Sequence, residues 1–298
     1  MRKLFVLCAC LAPLFQASAQ QIGRIDMGIK KFEDEKVPPR KENLRDFQGK
    51  TTKIVVAGDN SMADLLFSDA VEKGWYISPY EFCDYEEFAR IRTDTNYYFL
   101  MRVEKSPGRN SASRMEFLSL LKGSPDAVSG LDEMPEIISL PAYPGDDRSG
   151  RVFAYFPAYI NIIQAHVLKV VENNLYAYAG ISAYANATDE LGGKTLLLLE
   201  DDFAFDIDRR DVASRFGGHA VLTVQDSIDM AIRASAQDTV VSLIVAPMHP
   251  HRGDLCYKML IGTDTYRLYM FRKHRIGANR PAGFLKRDYR KMYGSYGK

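Results

Sequence analysis

The sequence predicts an α/β fold made of two tandem copies of a βαβαβ unit. Antiparallel strands extend each copy into a mixed sheet, and a long helix joins the two. Short apolar runs at residues 54–57 and 196–199 are typical of buried strands. Setting Lys53 against Thr195 gives a shift of 142 residues that holds without a gap to about residue 105. Because strands and capped helices recur in the same order along this shift, the pattern indicates an internal repeat.

Each predicted copy continues with a helix, a second strand and another helix. The first helices cover residues 61–73 and about 207–216, each closed by glycine just past the last turn. The second strands cover residues 76–82 and 219–224. Asp84 and Asp226 then predict helix N-caps, since each is followed three residues later by an acid that complements the helix dipole.

The remaining elements are three further strands in each copy and one helix between the copies. Pro157 opens a helix over residues 157–176 whose apolar side chains share one face. We therefore expect a first repeat at 46–156, a linker helix and entry segment at 157–190, and a second repeat at 191–275. The strands are predicted at 97–103, 116–122 and 136–140, and at 239–245, 255–261 and 266–272.

The N-terminus has the pattern of a secretory signal. Two basic residues precede an apolar run over residues 4–15, and Ala17-Ser18-Ala19 offers a cleavage site. We expect cleavage after Ala19 and export to the periplasm or the extracellular space, where the protein can also lie at the periphery of a membrane. Residues 20–45 are then expected to form an exposed N-terminal arm.

Composition argues against nucleic-acid binding and against a membrane-spanning segment in the mature chain. Removal of Arg2 and Lys3 with the signal changes 39 basic and 38 acidic residues to 37 and 38, so the mature chain has no global attraction to nucleic acid. No later apolar run approaches the ~18 residues of a membrane-spanning helix. We expect no specific nucleic-acid binding, no transmembrane segment in the mature chain and no cofactor.

Two cysteines stay after the signal is removed. An oxidising compartment permits a disulfide between Cys83 and Cys256. The alternative is two separately buried thiols, because free cysteine is among the most buried residue types. The sequence favours the second interpretation and leaves the first open.

Acidic residues follow the first strand of each copy. Asp59, Asp201 and Asp202 lie where ligands of open α/β sheets bind, beyond the carboxyl ends of strands. Such carboxylates can act as acid and base or hold a divalent cation. The favoured alternative is helix capping, since aspartate is also a preferred N-cap residue.

A second candidate site is a histidine-containing loop. His249, His251 and Asp254 can bind zinc if their side chains converge. Pro250 between the two histidines argues for an open turn, and a solvated hairpin loop is the favoured alternative.

The C-terminal tail, residues 276–298, is basic and aromatic. Its cations alternate with Phe284, Tyr289, Tyr293 and Tyr296. Such a segment can bind an acidic partner, lipopolysaccharide or a membrane surface, and the alternative is a solvated tail. The predicted partner-binding residues are Arg280, Lys286, Arg287, Arg290 and Lys291.

In the order of its elements, the repeated unit resembles the small α/β domains of Gram-negative envelope-assembly proteins. The signal followed by Gln20-Gln21 and the 17 tyrosines look like features of secreted proteins of Bacteroidota-type bacteria whose roles are uncharacterised. Neither resemblance carries a functional residue.

We expect an exported cell-envelope protein that acts as a non-enzymatic binding or assembly module, since no catalytic constellation is present. The alternative is a secreted hydrolase that uses the strand-end carboxylates or the histidine loop, with or without a metal.

Overall fold

The computed structural model describes residues 44–296, apart from 60, 107–112, 145, 146, 148, 174 and 184. The predicted signal at 1–19 and most of the predicted arm at 20–45 lie outside the described residues. Leu44, at the end of the predicted arm, is buried in the core.

The first half of the chain forms a five-stranded mixed sheet in the order β2-β1-β3-β4-β5. β1 is parallel to β2 and β3, and β4 is antiparallel to both of its neighbours. The strands are β1 (Thr51–Val55), β2 (Tyr80–Cys83), β3 (Tyr97–Lys105), β4 (Met115–Lys122) and β5 (Glu136–Pro144).

The second half forms another five-stranded mixed sheet, in the order β7-β6-β8-β9-β10. β6 is parallel to β7 and β8, and β9 is antiparallel to β8 and β10. The strands are β6 (Thr195–Leu199), β7 (Ala220–Thr223), β8 (Thr239–Val245), β9 (Leu255–Gly262) and β10 (Leu268–Arg275).

The two sheets therefore have the same strand order and the same strand directions. The gap-free shift of 142 residues, however, does not hold in the pairing. Thr51 pairs with Tyr97, 46 residues later, whereas Thr195 pairs with Thr239, 44 residues later. The segment between the first and third strands is thus two residues shorter in the second sheet.

Seven α-helices lie in the described part of the chain. α3 covers most of the helix predicted at 157–176 and begins one residue before Pro157. A short α4 replaces the end of the predicted helix. The helices are α1 (Met62–Gly74), α2 (Tyr85–Ile91), α3 (Phe156–Glu172), α4 (Leu175–Ala179), α5 (Arg209–Arg215), α6 (Gln225–Arg233) and α7 (Lys286–Tyr293).

The predicted helix caps are correct at one position and wrong at others. Asp84 caps α2 and accepts a hydrogen bond from the Glu87 amide at 2.7 Å. Ser61, not Asp59, caps α1, because Asp59 instead accepts from the Ser61 amide in the preceding turn. Asp208 caps α5, and Asp226 lies inside the first turn of α6 rather than before it.

One hydrophobic core is shared by both sheets. α1 contributes Phe67 to this core and α6 contributes Ile228, while α3 is buried along most of its length. Phe117 of β4 contacts Tyr257 of β9 edge to face, with ring centroids 5.7 Å apart. The Tyr155 hydroxyl, just before α3, donates to the Ser242 carbonyl of β8. The two sheets are thus held together by direct packing.

Each sheet has a second, separate core on its other face. On the first sheet, Phe88 of α2 packs with Ala127 and Leu131 from two 3₁₀ turns. On the second sheet, Phe216 next to α5 packs with Tyr289 of α7. The sheets therefore turn non-equivalent faces to the shared core, since α1 faces it in the first sheet and α6 in the second.

Candidate binding groove beside the C-terminal helix

The C-terminal segment, residues 276–296 as described, packs against the second sheet and is not a solvated tail. After β10 the chain pairs Gly277 with Arg280 and then Phe284 with Phe203 before it forms α7. Phe284, Tyr289 and Met292 are buried in the outer core of the second sheet. The interpretation as a solvated tail is therefore wrong for the described part of this segment, in which Tyr293 and Tyr296 are also partly buried against the same core.

A buried ion cluster fixes α7 to the second sheet. Lys258 of β9 and Asp288 of α7 are fully buried and 2.5 Å apart, and Arg272 of β10 lies 3.2 Å from the other carboxylate oxygen. Asp288 also accepts the Leu285 amide at the start of the helix. Burial acts to raise the pKa of Asp288, but the hydrogen bond and charge of Lys258 hold it below its ordinary value. The carboxylate therefore stays ionised and compensates the buried ammonium.

Two adjoining clefts flank α7 on its outer side. The tail cleft, of about 350 Å³, is lined by Ala204, Phe205, Asn279, Arg280, Pro281, Leu285, Lys286 and Arg287. The aromatic cleft, of about 480 Å³, is lined by Phe205, Asp206, Asp211, Arg215, Lys286, Tyr289, Arg290 and Tyr293. Because Phe205 and Lys286 line both clefts, together they form one continuous groove.

Four of the five predicted partner-binding cations line this groove: Arg280, Lys286, Arg287 and Arg290. Among the described residues the only ion pair of these four is a long one, 4.0 Å between Arg287 and Asp288, a carboxylate already engaged by Lys258. The fifth cation, Lys291, instead donates to the side chain of Asn186. Burial, and to a smaller extent the positive charge of Arg272, lowers the pKa of Lys291. The groove therefore carries an excess of positive charge, which Asp206 and Asp211 in its lining offset only in part.

Arg215 is a groove residue that the sequence prediction missed. Its Nε donates to Asp211 at 2.6 Å, and its guanidinium lies 4.9 Å from the centre of the Tyr293 ring. The hydroxyl of Tyr289 donates to the other oxygen of Asp211. These contacts hold the guanidinium in one orientation. The spacing of Asp211 and Arg215, four residues apart in a helix, was the available signal.

The strand-end acids of the two sheets do not form a common site in the described structure. Asp59 is exposed, and hydrogen bonds from Ser61 lower its pKa. Asp201 is exposed, whereas Asp202 is buried, with Arg151 at 3.3 Å and the Ser242 hydroxyl at 2.7 Å. Burial raises the pKa of Asp202, and the charge of Arg151 opposes this effect. Asp202 thus ties the segment before α3 to the second sheet.

A second polar network, also missed from the sequence, lies inside the first sheet. Arg102 of β3 contacts Asp64 at 2.5 Å and Glu116 at 3.4 Å, and the Tyr143 hydroxyl donates to Glu116. Asp64 also accepts the amides of Ala57 and Gly58. The partners satisfy one another, so this network stabilises the end of the sheet rather than offering free groups to a ligand.

The histidine loop does not bring its three residues together as a metal site. Asp254 is buried and accepts the backbone amide of His251, whose imidazole Nδ1 lies 3.8 Å away. His249 is exposed. In the part of the chain that is described, no group of three histidine, cysteine or acidic side chains is arranged to hold a metal ion.

The two cysteines, both described, are free and buried and do not form the disulfide considered above. Cys83 lies in the outer core of the first sheet, whereas the Cys256 sulfur accepts the Gly283 amide under the C-terminal segment. The structure therefore contains no disulfide between Cys83 and Cys256, which lie in different packing environments.

Comparison of the chain with protein-family models, with curated proteins and with solved structures found no match. Within residues 44–296 as described, no helix is both long enough and apolar enough to cross a membrane.

Proposed function

We propose that this chain is an exported cell-envelope protein whose second sheet acts as a non-enzymatic binding module for an anionic envelope component. The observation that carries the proposal is the set of four cations, Arg280, Lys286, Arg287 and Arg290, along one continuous groove. The backbone that carries Lys286, Arg287 and Arg290 is fixed, because α7 is held by a buried ion cluster and buried aromatic residues, and the backbone of Arg280 is paired with Gly277. A fixed array of cations gives specificity that a solvated tail cannot give.

We also infer that the two sheets are tandem copies of one unit linked by α3, and that residues 1–19 direct export. The identical strand order and directions support the first inference. The unequal faces turned to the shared core, and the α7 cover found only on the second sheet within the described residues, support a division of roles. In this division the first copy supports the second, which carries the groove.

Capture from envelope extract tests the proposed function. The variant R280E/R287E reverses two groove charges. The matched control R45E/R90E makes the same change of net charge at two exposed arginines outside the groove. We expect the wild type and the control to retain an envelope component that the groove variant does not retain. Added salt should release that component from both proteins, since salt screens interactions between exposed charges. Identical capture by all three proteins would reject the proposal.

Deletion of the C-terminal segment cannot test whether the groove binds the envelope component. Removal of residues 276–298 would leave Lys258 buried without Asp288 and expose the core that Phe284 and Met292 fill. Lost binding would then report a damaged second sheet. Charge reversal at exposed groove positions avoids this ambiguity.

One observation favours a second candidate, the secreted hydrolase. Asp202 follows the carboxyl end of β6, and burial raises its pKa, as is common for catalytic acids. Its oxygens are, however, already occupied by Arg151 and Ser242. Metal analysis and hydrolytic assays of purified protein separate the candidates. Stoichiometric zinc that is lost in His251→Ala, or hydrolysis that is lost in Asp202→Asn, would favour the hydrolase over the binding module.

A further inference from the structure

We propose that the groove binds an acidic saccharide, with the anionic group in the tail cleft and a sugar ring in the aromatic cleft. This inference rests on the proposed function and names the ligand class. The two clefts differ in chemistry although they share a wall. The difference between them distinguishes a saccharide from other anionic ligands.

The tail cleft has the chemistry of an anion site. Its charged lining residues are Arg280, Lys286 and Arg287, and no acidic side chain lines it. Arginine and lysine donate hydrogen bonds and accept none, so the complementary ligand group is a carboxylate or another oxyanion. The amide of Asn279 adds a neutral donor and acceptor at the same cleft.

The aromatic cleft has a mixed chemistry. Its lining includes the rings of Phe205, Tyr289 and Tyr293, and acids and bases are both present around them. Asp206 and Asp211 supply acceptors, while Arg215, Lys286 and Arg290 supply donors. A hydroxylated ring uses both kinds of partner and can lie against aromatic carbon. The side chains of an acidic peptide offer neither a ring to the aromatic residues nor hydroxyl donors to Asp206 and Asp211. The aromatic cleft therefore favours a sugar over an acidic peptide.

Arg215 is prepared to donate to such a ring. Asp211 occupies its Nε, and Tyr293 lies against its guanidinium plane. Among the described residues neither of its Nη groups has a hydrogen-bond partner. About half of the side chain is accessible, at 45%. Because the guanidinium is already oriented, little conformational entropy is lost when a ligand hydroxyl accepts from it.

The two clefts can serve one ligand. Phe205 and Lys286 line both, and the Lys286 ammonium lies 5.8 Å from the centre of the Phe205 ring. Each volume, about 350 and 480 Å³, is within the range of small-molecule sites. A short oligosaccharide that carries one acidic sugar in the tail cleft extends naturally into the aromatic cleft.

Calorimetric titration of the full chain tests this inference with three matched probes. They are tri-galacturonic acid, its methyl ester and tri-glutamate with blocked termini. The ester keeps the rings and loses the charge, whereas the peptide keeps the three carboxylates and loses the rings. We expect the acid to bind at least roughly tenfold more tightly than either control.

Two variants connect binding to the two clefts. R280E/R287E is expected to weaken binding of tri-galacturonic acid by roughly tenfold or more, and R215Q by roughly fivefold. R45E/R90E is expected to leave it unchanged. Circular dichroism confirms that each variant is folded before titration.

The outcomes separate this inference from the proposed function. If tri-glutamate bound as tightly as tri-galacturonic acid, the groove would be assigned to an acidic peptide. If the methyl ester bound as tightly as the acid, the tail cleft would not be an anion site. Either result overturns the saccharide. Failure of all three probes would also overturn it, while the proposed function would stand if capture from envelope extract still depended on Arg280 and Arg287.

Discussion

The two sheets have the same strand order, yet their outer faces are built differently. Two 3₁₀ turns, Pro125–Ser129 and Leu131–Glu133, contribute to the outer core of the first sheet. The outer core of the second sheet is covered by α7, whose other side carries Lys286, Arg287 and Arg290. The added helix brings an exposed basic surface with it, whereas the exposed charged residues of the two turns, Asp126 and Glu133, are acidic. The cover, not the sheet, therefore determines where a ligand can bind.

The sheets also bury charge in different ways. In the first, Arg102 lies between Asp64 and Glu116, all within elements that the βαβ order already brings together. In the second, Lys258 of the sheet depends on Asp288 of the C-terminal segment. The buried cation of the second sheet is thus compensated by the cover of that sheet, whereas the buried cation of the first is compensated from α1 and β4.

The largest effect is expected from Asp288→Ala. It leaves the fully buried Lys258 without its close partner, which costs roughly 3–5 kcal/mol of unfolding free energy. Urea unfolding followed by circular dichroism measures the loss. The double variant K258M/D288L replaces both charges by apolar groups, and we expect it to recover most of the stability. A loss below about 1 kcal/mol in Asp288→Ala would show that α7 is not an integral cover.

A smaller effect is expected from Arg102→Met in the first sheet. The change removes the cation between Asp64 and Glu116, but Asp64 keeps two backbone amide donors. We therefore expect a loss of about 2–3 kcal/mol by urea unfolding. Binding to the groove should be unchanged, since the groove belongs to the other sheet. Weakened binding in folded Arg102→Met would contradict the division of roles.

The pH dependence of stability follows from Asp288. Its folded pKa is below the ordinary 3.8, so the folded state binds fewer protons than the unfolded state around that pH. The stabilisation is fully present well above pH 3.8 and is lost as pH falls through the folded pKa. Compared with K258M/D288L, the wild type should lose stability more steeply below about pH 4 in acid-unfolding curves. Parallel curves would show that the pair is not ionised in the native state.

The smallest effect is expected at the two cysteines. Burial raises the pKa of Cys83 to about 12 and of Cys256 to about 11, so neither is a thiolate near neutral pH. A thiol reagent should modify neither in the native protein and both after unfolding, with the same mass before and after reduction. A mass increase of two hydrogens on reduction would reveal a disulfide.

Much of the fold could be predicted because local signals and packing agree. Buried apolar runs gave β1, β6 and β8, and the Asp84 cap gave α2. Pairing register is a property of the assembled sheet, which is why a constant shift of 142 residues failed between β6 and β8. Ser61 and Asp208 are the caps in place of the nearby strand-end acids, because α1 and α5 begin one to two residues later than predicted.

The site could be predicted only in part. The basic residues of the tail were visible as a cluster, but Tyr289 and Met292 face a core that no local pattern reveals. The role of Arg215 depends on Asp211 in its own helix and on Tyr293, which is 78 residues later in the chain. Groups that are distant in sequence define the groove, so only the folded chain brings them together.

Hydrogen exchange of the full chain, with and without saturating tri-galacturonic acid, tests the central claim most directly. It reports on every segment in one measurement. We expect α7 to be protected already in the free protein, and the ligand to slow exchange further only within residues 203–215 and 277–293. Rapid exchange of α7 in the free protein, or ligand protection confined to the first sheet, would contradict a groove built by the C-terminal helix on the second sheet.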